Sequence, residues 1–371
     1  MTAKACLIFN NYPLCLTDGG PSGFLAQNLL GHSSSYYHLG PAEQWPTVDF
    51  WRRSRLRLSS LKRRALRGFG LLPVEHYSNV VLPARANYVH ERAKDYPWIW
   101  FHDCMTMAAC LDLLPAGQKV ILQSHCPQLP SEEEAGWSRG EDDVAWVRRA
   151  ERDAFSRADV CVLPNEHSRD IYAPLLSATS RVEYLLSGCR PMTPRCVPPL
   201  DPQYIYYLYL GRRLEIKGFD LVLEAFQRAH GENSRLRLLI VGGGAPVEMP
   251  GVIDIGRSEE PASWLAACDY LVCGNRQSYF DLSIMEALSL GTPLIMTNTG
   301  GHRYFAERTS PGIFAVAAAD AGLIADAFLN HPTKRSGNSA GVEANRQLYR
   351  ECLTDNCYRA RLDELLRRLT R

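Results

Sequence analysis

The chain has 371 residues, more than one ordinary hydrophobic core organises and about right for two domains. A hydrophobic content of 46% and a charged content of 22% are those of a globular protein, and a net charge of +1 makes no overall case for nucleic acid as a partner. Twelve cysteines are scattered without a CxxC pair and never group with His or carboxylates at zinc-ligand spacing, which predicts buried thiols in a reducing compartment and no bound metal.

Residues 4–9 (KACLIF) read as a buried first strand. This apolar run is too short for a signal-peptide core, and none elsewhere approaches the length of a spanning helix, so a cytoplasmic protein is expected. A turn containing Gly19, Gly20 and Gly23 follows, then a helical pattern from Phe24 that stops at Gly31. Strand, glycine-rich turn and helix open a doubly wound unit, where backbone can approach a phosphate. The spacing is not GxGxxG, and a plain tight turn is an equal reading.

Residues 50–72 carry eight basic residues between Arg52 and Arg67 and no acid, with Leu58, Leu61, Ala65, Phe69 and Leu72 close to one helical face. Such a helix suits an anionic membrane surface or an acidic acceptor, and a solvated face packed on its own domain is the competing reading. Residues 98–101 (WIWF) lead into His102, and residues 120–124 (VILQS) into His125. Both look like strands releasing polar residues at the edge where open α/β sheets bind ligands. A site role and a structural role stay open for each histidine. Residues 131–143 are expected to form a mobile acidic loop, 144–157 a charged helix, and 158–164 a strand ahead of a loop from Asn165 to Asp170. Five prolines in 191–202 mark an interdomain linker.

Strand and helix alternate again in the second half. Residues 205–210 form a strand before Gly211 and Arg212, a helix follows Lys217 and Gly218, and residues 236–241 form a strand before Gly242, Gly243 and Gly244. Residues 271–273 are a further strand, feeding residues 275–301. That stretch begins polar and aromatic, continues as a helix over 282–290 with Glu286 in its opening turns, and stops at Gly291. A short strand, 294–296, then ends at Thr299, Gly300 and Gly301. A loop feeding a helix start between buried strands is a place to hold an anion. Residues 342–369 read as helical and arginine-rich. The expected organisation is an N-terminal domain (1–190), the linker (191–202), a C-terminal domain (203–341) and a final helical segment (342–371) crossing back to the first domain.

Several of these motifs together resemble the retaining glycosyltransferases of family 4, a large group with the GT-B fold. Gly211-Arg212 with Lys217-Gly218 matches the family's GR-x4-KG element. The match continues through the strand ending at Gly242-Gly243-Gly244, the segment from Glu286 to Pro293, and Gly300-Gly301. Residues 151–169 resemble its helix, strand and SE-x-S-R/K loop. The resemblance covers most of the chain and is weakest over 33–94.

It implies two Rossmann-like, doubly wound parallel-sheet domains facing a cleft. It also implies sugar transfer, with retention and without metal, from a UDP or GDP sugar to a glycan, lipid-linked or small-molecule acceptor. Arg212 and Lys217 would meet the diphosphate, with Gly19, Gly20, Gly243 and the turn Phe280, Asp281, Leu282 and Ser283 around it. Glu286 would accept from the ribose hydroxyls, Arg257 and Ser258 would flank the base, and His125 would lie near the transferred sugar. A peripheral position on the cytoplasmic membrane would follow if 50–72 meets lipid.

Two residues depart from the family pattern. The first of two glutamates separated by seven residues is replaced by Ser278, which brings a hydroxyl but no charge to the catalytic position. Asp281 stands where the family often has Gly, and is expected to turn away from the diphosphate or cap the helix after it. A non-catalytic GT-B binding protein and a nucleotide-sugar epimerase of the same architecture are the rival readings.

Overall fold

The computed structural model describes residues 4–16, 19–41, 77–137, 140–308, 310–331 and 334–370. The basic stretch 50–72 lies outside the described residues. Two sheets of six parallel strands organise the described residues. The first contains β1 (Cys6–Phe9), β2 (Tyr37–Gly40), β3 (Trp98–Phe101), β4 (Lys119–Leu122), β5 (Val160–Leu163) and β6 (Val182–Tyr184), in the order β2-β1-β3-β4-β5-β6. Among the described residues its helices are α1 (Gly20–Leu29), α2 (Leu82–His90), α3 (Cys104–Cys110), α4 (Pro130–Trp137) and α5 (Glu141–Arg157), and the short α6 (Arg169–Tyr172) follows β5. The acidic segment expected as a mobile loop is thus largely helical. Glu151 on α5 holds it, accepting from the Ser131 N–H at 2.8 Å and the Ser131 hydroxyl at 2.7 Å.

The second sheet contains β7 (Ile205–Leu210), β8 (Leu236–Val241), β9 (Val252–Gly256), β10 (Tyr270–Cys273), β11 (Leu294–Thr297) and β12 (Ile313–Val316). Its order, β9-β8-β7-β10-β11-β12, is the doubly wound arrangement with the first strand central. Leu208 on β7 is paired with Leu239 on one side and Leu271 on the other. Strands covered on both faces must be apolar on both, which is why β7, β8, β10 and β11 are nearly unbroken hydrophobic runs. Among the helices, α7 (Phe219–Glu232) presents Val222, Ala225, Phe226 and Ala229, and α11 (Ala321–Asn330) presents Ile324 and Phe328, to a core containing Tyr207, Leu238 and Ile240. The remaining helices are α8 (Pro261–Ala267), α9 (Leu282–Leu290), α10 (Arg303–Ala306), α12 (Ser339–Leu348) and α13 (Asp355–Leu369). A π-type turn, Tyr349–Leu353, interrupts what reads in sequence as one terminal helix.

Contacts divide the chain into one unit of Met1–Leu163, Tyr172–Tyr184 and Leu362–Arg371 and another of Pro164–Ile171 and Leu185–Arg361. The proline-rich run 191–202 falls inside the second unit, and the loop from Pro164 belongs there too. The last turns of α13 group with the first unit.

Candidate functional site

Strand order in the second sheet reverses at β7, so the connections leaving β7 and β10 turn to opposite faces. Such a reversal opens a crevice at the carboxyl ends of the two strands. β7 delivers Gly211, Arg212 and Lys217 to that edge. β10 delivers Asn275 and the loop running to Asp281. α9 begins immediately afterwards, with Asp281 in the N-cap position and no side chain bonded to the first-turn amides. The N–H groups of Leu282 and Ser283 therefore keep the donor capacity that a helix start leaves over, reinforced by the positive end of the dipole.

Close backbone approaches fix this loop. Gly218 has φ +63°, and a Cβ there would meet the Gly274 carbonyl oxygen at 1.8 Å. A Cβ on Gly301 would meet the Tyr279 carbonyl oxygen at 1.6 Å, and the Gly301 N–H bonds to the Ser278 carbonyl at 2.9 Å. From the loop after β5, Asn165 Nδ2 donates to the Gly301 carbonyl at 3.1 Å and Ser168 Oγ to the Tyr279 carbonyl at 2.9 Å. Phe280 is buried, stacked on Phe305 with Tyr304 edge-on.

Asp281 occupies the centre of a polar cluster. Its Oδ1 accepts from Lys217 Nζ at 2.8 Å, its Oδ2 accepts from Asn275 Nδ2 at 2.8 Å, and His302 Nε2 lies 3.5 Å from the same Oδ2. The carboxylate thus does not cap α9 and instead faces Lys217 and Asn275. Burial alone would raise its pKa, but Lys217 and His302 outweigh burial and hold it well below the usual carboxylate range. Ser278 is wholly buried. Its hydroxyl donates to the Thr299 carbonyl and accepts from the His302 N–H at 3.1 Å, so it ties backbone together where a glutamate would extend.

Glu286, one turn into α9, is half-buried, and burial lifts its carboxyl to about 7. Leu282 and Ser283 are half-buried in the first turn. Arg212, Gly243 and Arg257 are exposed at the ends of β7, β8 and β9, and Ser258 Oγ accepts from the Glu260 N–H at 3.1 Å.

Arg213 plays a different part from its neighbour. Its side chain is 6% exposed and grips Asp254 through both Nη atoms at 2.7 and 2.5 Å, with a third bond to the Gly242 carbonyl at 2.9 Å. One guanidinium thereby locks the ends of β7, β8 and β9. Removing one partner strands a half-buried charge. Arg213→Ala is expected to lower unfolding free energy by about 3 kcal/mol or more in a denaturant titration.

In the first unit, Gly19 is the N-cap of α1 and Gly20 follows with φ +65°, a conformation natural to glycine. His102 and His125, at the ends of β3 and β4, are 3.0 Å apart through Nδ1 and Nε2, with Phe24 of α1 against both rings. Burial pushes both below the ordinary histidine range, His125 to about 3. Both rings are therefore neutral near pH 7, one donating to the other.

Sequence reasoning did not single out Asn275, His302 or Arg213. His302 follows Gly300-Gly301 just beyond a strand end, the same signal that drew attention to His125. The contacts of Arg213 are made across strands, and Asn275 reaches Asp281 six residues on within an irregular loop, so neither leaves a periodic pattern.

Residues 205–331 match a family model described as Glycosyl transferases group 1. A curated relative, D-inositol 3-phosphate glycosyltransferase of Frankia alni, is 30% identical over 168 residues, which are 38% of this chain and 41% of that protein. The chain thus spans about two fifths of the length of that curated relative. Among solved structures, sucrose-phosphate synthase from Thermosynechococcus elongatus superposes with a TM-score of 0.62 at 18% identity, covering 81% of each chain. Anabaena HepE, solved in complex with UDP and glucose, gives 0.60 at 14% identity, covering 80% of this chain and 84% of that one. Both likenesses establish the fold: two Rossmann-like domains of the GT-B type. Among the described residues, no three His, Cys, Asp or Glu side chains are placed to hold a metal ion. No helix among them is long and apolar enough to cross a membrane.

Proposed function

We propose that the protein transfers a sugar from a UDP or GDP sugar to a glycan, lipid-linked or small-molecule acceptor, with retention of configuration and without a metal. The observation that carries this reading is the switch point at the carboxyl ends of β7 and β10, within residues that match a glycosyl transferases group 1 model, where Lys217 reaches Asp281 at the start of α9. As the glycosidic bond breaks, negative charge grows on the departing diphosphate. Arg212 supplies a planar fork of donors, and the Leu282 and Ser283 amides supply fixed dipoles that need no reorganisation during the reaction. Glu286 accepts from the ribose hydroxyls and so orients the nucleotide. No residue is assigned as a covalent nucleophile, and departure and attack on one face account for retention. The acceptor is assigned to the first unit, with residues 50–72 as its anionic-surface contact.

Ser278 favours a second reading. With its hydroxyl committed to backbone, the crevice lacks the carboxylate that a family 4 enzyme would present there, which suits a protein that binds a nucleotide sugar without turnover. A panel of UDP and GDP sugars with varied acceptors, assayed for transfer and hydrolysis, separates the two. Transfer products with retained configuration are expected. Binding without either reaction selects the non-catalytic reading, and interconversion of UDP-GlcNAc without an acceptor selects an epimerase. Arg212→Ala is expected to weaken nucleotide-sugar affinity at least tenfold, roughly the value of one charge-assisted bond.

A further inference from the structure

The inference here rests on the donor reading above and concerns what already occupies its cationic position. We propose that Asp281 is a built-in anion seated on Lys217, so that a ligand diphosphate reaches that lysine only by displacing the Asp281 carboxylate.

The ammonium of Lys217 and the carboxylate of Asp281 meet at 2.8 Å, with 20% and 14% of their side chains exposed. The carboxylate is anchored at its second oxygen too, by Asn275 Nδ2 at 2.8 Å, and Asn275 is itself 2% exposed. The Asn275 carbonyl in turn accepts from Thr297 Oγ1 at 2.6 Å and Thr299 Oγ1 at 3.1 Å, so the residue holding Asp281 is held from below. His302 adds a second observation. Its ring is fully buried, neither nitrogen has a hydrogen-bond partner among the described residues, and Nε2 points at Asp281 Oδ2 from 3.5 Å. Three donor-bearing groups on three loops thus converge on one anion position, and the chain fills it with its own carboxylate.

Lys217 and Asp281 cancel in formal charge. An incoming diphosphate therefore meets a neutral pair flanked by the α9 amides, not a free cation, and Coulomb repulsion from Asp281 acts on it at contact distance. This residue then sets donor selectivity. A ligand whose phosphates can be reached by Arg212 and the amides alone binds with the pair intact, and one that needs Lys217 must pull the pair apart.

Isothermal titration with UDP and with inorganic pyrophosphate tests the assignment on the full chain. Asp281→Asn keeps the shape and removes the charge, and is expected to bind both probes at least tenfold tighter than wild type. Adding Lys217→Met to Asp281→Asn should abolish the gain. Asn275→Ala, which loosens the same carboxylate and leaves both charges in place, should move affinity in the same direction by a smaller factor, and it serves if Asp281→Asn does not fold. Equal or weaker binding by these variants overturns the assignment, as does a gain that survives Lys217→Met. Its fate is separable from that of the transferase reading. Wild-type turnover with no gain in Asp281→Asn leaves the transferase and removes the internal anion. A gain for pyrophosphate without turnover of any nucleotide sugar does the reverse.

Discussion

Affinity for an intact nucleotide sugar is expected to rise by about 100-fold between pH 5 and pH 8, and Glu286→Gln is expected to flatten that rise. Burial lifts the Glu286 carboxyl to about 7 in the free protein. In the proposed complex two ribose hydroxyls donate to it, which favours the ionised form and expels a proton on binding. Below pH 7 that proton must be removed, so affinity falls by up to roughly tenfold per pH unit. Above pH 7 the carboxyl is already ionised and the curve levels. The intact nucleotide sugar is the right probe, because the terminal phosphate of a nucleoside diphosphate titrates near pH 6 and would confuse the reading. Cys189 feels Glu286 but does not intervene, since burial and the nearby carboxylates raise its thiol far above this range. A flat profile for the wild type would remove Glu286 from the ribose.

The same residue makes a prediction about stability. Its folded pKa lies above the unfolded value near 4.5, so the native state holds the proton more tightly. The associated stability is fully present below pH 4.5 and is lost as pH rises through about 7. Glu286→Gln is therefore expected to be more stable than wild type at pH 8, by about 1–3 kcal/mol, and to show no difference of this origin at pH 4.

The central strands of both sheets are legible in sequence because burial on two faces forces long apolar runs such as those of β7 and β8. Helix α9 is legible to the residue, since its apolar spacing ends at Gly291, whose φ of +73° is a helix stop. The edge strands β2, β6, β9 and β12 are not, because among the described residues each is paired on one side and tolerates polar residues such as His38, Glu183 and Asp254. Segment 130–137 misleads for a related reason: its acids suggest solvent, yet Ser131 is bound to buried Glu151 across the domain. In the site, the departures at 278 and 281 are visible as substitutions, but their consequences are not. Whether Asp281 faces Lys217 depends on Asn275 and His302, which reach it from two different loops. The neutral pair of His102 and His125 is likewise set by two strands meeting, a fact with no trace in either local sequence.

The largest stability effects are expected from a single methyl group at Gly301 or Gly218. Alanine at 301 would place its Cβ 1.6 Å from the Tyr279 carbonyl oxygen, and alanine at 218 would place it 1.8 Å from the Gly274 carbonyl oxygen. Both obstacles are backbone, so no rotamer change relieves the clash, and Gly218 adds a φ of +63° that alanine resists. Each substitution is expected to cost more than about 4 kcal/mol, the range reserved for cores that cannot relax, and to lower soluble yield. Gly243→Ala is the control, because a Cβ there meets nothing within 4 Å, and it should unfold within about 0.5 kcal/mol of wild type. Denaturant unfolding followed by tryptophan fluorescence reads all three, with Trp264 reporting on the second unit. Equal stability of Gly301→Ala and Gly243→Ala would mean that residues 278–281 do not lie against residues 300–301. The functional consequence is direct: the glycines clamp the loop whose Ser278 and Asp281 distinguish this crevice, so a destabilised clamp should also release Asp281 from Lys217 before the rest of the unit unfolds.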